Sequence, residues 1–174
     1  MPERRQLLPF VGVVCFIGLL LACNPIRQTQ SEPKAMASAV PRTPAQVLPI
    51  TATAKLGDRL FELEVAKTRQ QQAIGLMYRT FLPSNRGMLF PFSPPQSVQF
   101  WMKHCLIALD MIFVRGGKVV AIAPNTPPCK ADPCPTYGPK EPIDRVIEIR
   151  GGLAASIGLK VGDPVEVQWL KTPR

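Results

Sequence analysis

LDMIFVRGGKVVAIA, residues 109–123, carries the reading of the fold. Two apolar runs, 109–114 and 118–123, flank Gly116-Gly117. Paired glycines accept the positive φ values of a tight two-residue turn, so the runs fold back on each other as a β-hairpin. The same period of two recurs along the chain. Residues 60–65 (LFELEV), 145–150 (RVIEIR) and 164–169 (PVEVQW) alternate, and 87–90 (GMLF) is a short apolar run. Residues 98–105 add a further predicted strand that leads toward the hairpin.

Helical signals are few. Thr68 and Gln71 fit a capping box ahead of a short helix over 69–79, which ends before Pro83. Residues 153–157 predict a turn or two of helix between Gly151-Gly152 and Gly158. Pro94-Pro95 breaks the chain, and 124–142 is a proline-rich loop. About seven short strands with two short helices predict a mainly β, α+β domain. Its sheet should be a small, twisted, antiparallel and barrel-like one.

Not all of the 174 residues belong to that domain. Arg4 and Arg5 precede an apolar run over 10–22, the arrangement of an export signal. The run is shorter than the ~20 residues a bilayer span needs. Leu20-Leu21-Ala22-Cys23 resembles the lipobox of bacterial lipoproteins, which implies cleavage after residue 22 and lipidation of Cys23. Acyl chains add about 0.8 kcal/mol per buried methylene, so a multiply acylated Cys23 is a firm membrane anchor. Asn24, where an Asp retains enteric lipoproteins at the inner membrane, tilts the expectation toward the outer membrane. Five prolines among Gln, Ser, Thr and Ala follow before residue 50, a composition that buries little surface. The expected organisation is a signal at 1–22, a lipidated tether at 23–57 and one domain at 58–174.

The net charge is +9, but only +5 falls from Asp58 onward, from 15 basic and 10 acidic residues. They are scattered without a basic run, and an exported chain meets no nucleic acid. The charge fits a mildly basic surface near anionic lipid or envelope polymers.

The ordered motifs GLMYR, GMLF, FWMK, LDMIFV with its glycine hairpin, the cysteine loop with Tyr137, IEIRGG and GLKVGD resemble the domain-of-unknown-function 192 family. The resemblance runs from about Leu60 to Trp169. It implies a small barrel-like fold, often exported or lipid-anchored, and no established activity. After WMK the family usually has Asn-Thr; this chain has His104 and Cys105.

Several chemistries compete for the polar residues. Cys129 and Cys134 sit five apart in the proline-rich loop of an exported chain, where a disulfide is expected. Cys105 then reads as a small buried hydrophobe. A Cys3His zinc site from His104, Cys105, Cys129 and Cys134 has the right residue types. Strand alternation, however, sends His104 and Cys105 to opposite faces. Met77, Met88, Met102 and Met111 with His104 and Cys105 would suit Cu(I), although methionine is also ordinary core filling. Asp110 and Glu148, each in an apolar strand, are the carboxylates of a possible envelope hydrolase. Against that stands one charge network of Arg79, Lys103, Asp110 and Glu148, since buried charges need partners. Trp101, Lys103 and Cys105 are expected on one strand face, opposite Met102 and His104, where an aromatic beside a cation could line a pocket. The expectation is a non-enzymatic, lipid-anchored envelope protein that binds a small ligand or partner, with no cofactor. Metal handling and carboxylate hydrolysis are the alternatives.

Overall fold

The computed structural model describes residues 44–171. The signal, the lipobox with Cys23 and the first part of the tether lie outside the described residues.

The described residues form nine strands and two short helices: β1 (Ile50–Leu56), β2 (Arg59–Val65), α1 (Arg69–Ile74), β3 (Arg86–Gln96), β4 (Phe100–Trp101), β5 (Leu109–Arg115), β6 (Lys118–Thr126), β7 (Thr136–Tyr137), β8 (Ile143–Arg150), α2 (Leu153–Ser156) and β9 (Val165–Trp169). Seven strands make one sheet in the order β6-β5-β8-β3-β2-β1-β9, and β4 pairs with β7 beside it. The mainly β, barrel-like expectation holds. The sheet curls into a half-barrel, and its edges meet at one end: Lys118 bridges Pro164, and Val165 N–H donates to Gly117 O at 2.8 Å. The turn at Gly116-Gly117 carries φ values of 57° and 74°, as the hairpin reading requires.

Four expectations are corrected. The sheet begins at Ile50, inside the stretch read as tether. Alternating Ala52, Ala54 and Leu56 are fully buried, and β1 is zipped between β2 and β9. Small apolar residues fill this crowded interior, so the run lacks the bulky alternation that marks the other strands. The sheet is also not wholly antiparallel. The crossover through α1 returns the chain so that β3 runs parallel to β2, with Glu62 beside Arg86. Helix α1 stops at Ile74, because Gly75 takes φ 50°. Its capping box is as expected: Thr68 Oγ1 accepts from Gln71 N–H, and Gln71 Oε1 accepts from Thr68 N–H. Last, 98–105 is not a strand beyond Phe100–Trp101. The chain turns there, His104 has φ 58°, and Cys105 N–H donates to Met102 O at 3.2 Å.

Because successive strand residues face opposite ways, the sheet carries two cores. The barrel interior holds Phe61, Leu63, Leu89, Ile112, Ile147 and Ile149, with Leu153 and Ala154 of α2 against one end. The outer face holds Met88, Phe90, Met111, Phe113 and Val146, covered by Leu76, Leu82, Met102 and Cys105. Phe100 docks edge-on against Phe90, Phe92 and Phe113, with centroids 5.1, 6.5 and 6.1 Å away.

Candidate functional site: a pocket over Glu148

Asp110 and Glu148 sit on neighbouring strands one register step apart, since Asp110 pairs with Ile149 and Met111 with Glu148. They therefore point to opposite faces of the sheet, and no single bond can lie between them as a carboxylate hydrolase would need.

Asp110 belongs to the interior end. It is fully buried and accepts three backbone N–H groups: Asn125 and Gly152 at Oδ1, 2.6 and 2.9 Å, and Ala154 at Oδ2, 2.7 Å. It thus ties the first turn of α2 and the end of β6 to β5. Gly151 allows the close approach: a Cβ there would lie 2.6 Å from Asn125 Oδ1 and 2.9 Å from the Ala108 carbonyl carbon.

Glu148 belongs to the outer core and is 4% exposed. Its cross-strand neighbours are Met88 on β3 and Met111 on β5, both fully buried thioethers. Neither offers a hydrogen-bond donor, and among the described residues nothing else donates to the Glu148 carboxyl or pairs with its charge. Burial accordingly pushes its pKa up to about 8, so the acid holds its proton at neutral pH. The carboxyl forms part of a small pocket with about 30 Å³ of room for water, closed by Gly75, Leu76 and Met77 beyond α1, by Phe90 and Phe100, and by Trp101 at the rim. Trp101 is 48% exposed, and Lys103 Nζ lies 5.5 Å over its ring. Gly75 suits the turn because its φ is 50°, which other residues rarely adopt; a Cβ there would meet the Phe90 ring only in ordinary contact, at 3.4 Å.

Cys105 lines the same pocket. Burial, reinforced by the Glu148 charge, pushes its thiol up to about 12, which leaves it an inert thiol rather than a nucleophile.

The four-residue charge network does not form. Arg79 instead clasps Glu64, Nη1 to Oε1 at 2.7 Å and Nη2 to Oε2 at 2.6 Å, and also donates to Gln46 O. Glu64 Oε2 accepts Leu48 N–H, and Gln46 Nε2 donates to Gln71 O and Gly75 O at the end of α1. Lys103 pairs with exposed Asp132 at 3.1 Å. Neither cation pairs with Asp110 or Glu148. Glu64 and Gln46, which complete the Arg79 clasp, carry no local sequence signal, because their partners lie 15–33 residues away.

The turn at His104 also reverses the expected faces. Met102 and Cys105 are both buried, whereas Trp101 and His104 are outside. His104 stacks on Tyr78 with centroids 5.3 Å apart, and Tyr78 N–H donates to His104 O at 2.9 Å. His104 is thereby separated from the sulfurs of Met102 and Cys105, and Met77 is a half-buried neighbour of the outer core. Cys129 and Cys134 form the expected disulfide, which occupies two of the four zinc candidates. Among the described residues no cluster of three or more His, Cys, Asp or Glu groups could hold a metal ion.

Two crystal structures resemble this fold. One is a protein of unknown function from Novosphingobium aromaticivorans DSM 12444, 36% identical, covering 72% of this chain and 94% of its own, with a TM-score of 0.61. The other is a candidate transcription regulator from Sinorhizobium meliloti 1021, 29% identical, covering 70% and 97%, with a TM-score of 0.62. No curated protein matches. The family model DUF192, Uncharacterized ACR, matches residues 51–167, from the second residue of β1 into β9, and the chain belongs to that family.

Proposed function

We propose that this is a lipid-anchored protein of the bacterial cell envelope whose domain binds a small ligand in the pocket over Glu148. The observation that carries the reading is a buried carboxyl without a partner, facing a preformed apolar pocket. Among the described residues the buried side-chain atom left without a partner is Arg79 Nε, so the Glu148 oxygens are not sealed in but open toward the pocket. A ligand group there completes their hydrogen bonds. Aromatic and aliphatic walls with few polar groups are also the usual make-up of a small-molecule site.

Binding is favoured over catalysis by the same geometry. The two candidate acids face opposite ways, and the thiol in the pocket is held far from its ionised form. The basic start, apolar run and Cys23 support export and lipidation, with the periplasmic face of the outer membrane as the expected destination. The regulator role described for the Sinorhizobium protein does not fit the export proposed here, since an exported chain meets no DNA.

Two experiments test the reading. Cys23→Ser should lose its acyl chains by mass spectrometry of the membrane fraction; acylation that persists refutes the anchor. Ala73→Trp places an indole from an exposed α1 position over the pocket mouth. A fragment screen by ligand-observed NMR on the full chain in detergent micelles should return small apolar hits with the parent protein. The same hits should be lost with Ala73→Trp. Hits that survive the variant place binding elsewhere.

A further inference from the structure

We infer that the pocket over Glu148 takes the tip of a free primary alkylammonium, with Glu148 as its counter-ion; this rests on the pocket being a binding site. Three observations lead there. The first is the missing partner. Arg79 is committed to Glu64 and Lys103 to Asp132, so among the described residues neither cation pairs with Glu148; Glu64, the other buried acid of this face, lies across Met88 and already holds Arg79. A buried carboxylate is costly until a positive charge joins it. The second is the wall. Phe90 and Phe100 line the pocket and Trp101 its rim, and aromatic rings attract cations, as the Trp101 ring already does with Lys103 Nζ at 5.5 Å. The third is size. About 30 Å³ of room suits one or two water-sized groups, which an ammonium head is. Leu76 and Met77 then flank the methylene stem, and a quaternary trimethylammonium is too broad to enter.

Proton linkage follows. The groups facing Glu148 are Met88 from β3, Met111 from β5, Cys105 from the turn after β4, and Leu76 with Met77 after α1; the Glu64–Arg79 ion pair stands one strand further along the same face, beyond Met88. Of the groups next to Glu148 only Cys105 ionises, near pH 12. An alkylammonium binds the ionised acid, so below about pH 8 binding releases the Glu148 proton. Affinity therefore rises by up to about tenfold per pH unit toward pH 8 and levels above it, while an amine of pKa ~10.4 stays charged.

The test is NMR titration of the full chain in detergent micelles, following the Trp101 indole and Gly75 amide signals. The probes are n-butylammonium, 1-butanol and tetramethylammonium, at pH 6 and pH 8.5, on the parent and Glu148→Gln proteins. We expect saturable butylammonium binding at least tenfold tighter than butanol at pH 8.5. The gap should shrink at pH 6 and vanish in Glu148→Gln, and tetramethylammonium should not bind. Butanol binding as tight as butylammonium, or a gap that survives Glu148→Gln, overturns the ammonium assignment and leaves the pocket standing. Binding of neither probe overturns both. The pH comparison on the parent protein decides the matter even if Glu148→Gln does not fold: equal gaps at both pH values refute the counter-ion role.

Discussion

Two buried acids, one register step apart on adjacent strands, meet opposite fates on the two faces of one sheet. Asp110, on the interior side, is saturated by three backbone N–H groups and closes the barrel end. Glu148, on the outer side, lies between two thioethers and faces a pocket. Burial alone does not distinguish them, since both are under 5% exposed. The difference lies in the donors within reach. A loop end and a helix start converge on Asp110, whereas Glu148 lies between two thioethers and receives no hydrogen bond from the donors that line its pocket. A hydrogen-bonded acid holds the fold together; an unpartnered one is a cost that a ligand can relieve.

Amide substitution tests this contrast most severely. Asp110→Asn replaces one acceptor oxygen with an NH2 that confronts backbone donors, and it removes the charge from three hydrogen bonds. Charge-assisted bonds contribute roughly 1.5–3 kcal/mol each, so a loss of about 4–5 kcal/mol is expected in a urea titration, or no folding at all. A near-parental midpoint breaks the comparison on the Asp110 side.

Glu148→Gln should shift stability in the other direction at alkaline pH. Between about pH 4.5 and 8 the unfolded chain has released this proton while the folded protein keeps it. The unfolded state then binds fewer protons, so the contribution of Glu148 to stability falls as pH rises through that window and levels above pH 8. Glutamine does not titrate. Glu148→Gln should therefore match its parent near pH 4.5 and exceed it by up to roughly 4 kcal/mol at pH 8. Parallel pH profiles for the two proteins erase the distinction between the acids.

Smaller effects sharpen the outer-face picture. Replacing Cys129 and Cys134 together by Ser should cost about 2 kcal/mol, the value for so short a loop. The loss should be accompanied by weaker protection from hydrogen exchange in β7 and the Met102 turn, which accepts Cys129 N–H at 3.1 Å. Lys103→Met should change stability by less than about 1 kcal/mol, because Asp132 is 68% exposed and such surface pairs are weak.

What was legible in the sequence follows the range of the forces involved. The glycine hairpin, the Thr68–Gln71 capping box and the β8 pattern are local signals, and each stands where its residues predict. The disulfide was legible too, since two cysteines five apart share one loop. Strand β1 was hidden, because alanines at its inward positions lack the bulk that pattern reading seeks. The turn at His104 was hidden because no glycine marks it, although histidine is among the residues that tolerate positive φ. Both acids were singled out from their apolar strands. Their roles were not legible, since the partners of Asp110 lie 15, 42 and 44 residues away and those of Glu148 are missing.

The state of the Glu148 carboxyl decides whether the outer face is a poised site or ordinary core. Its ¹³C resonance, assigned by its loss in Glu148→Gln, can be followed from pH 4 to pH 10 in the full chain. The account predicts a carboxyl that titrates near pH 8, well above the other acids. A Glu148 that titrates in the ordinary carboxylate range would contradict it, because the group would then be solvated or paired.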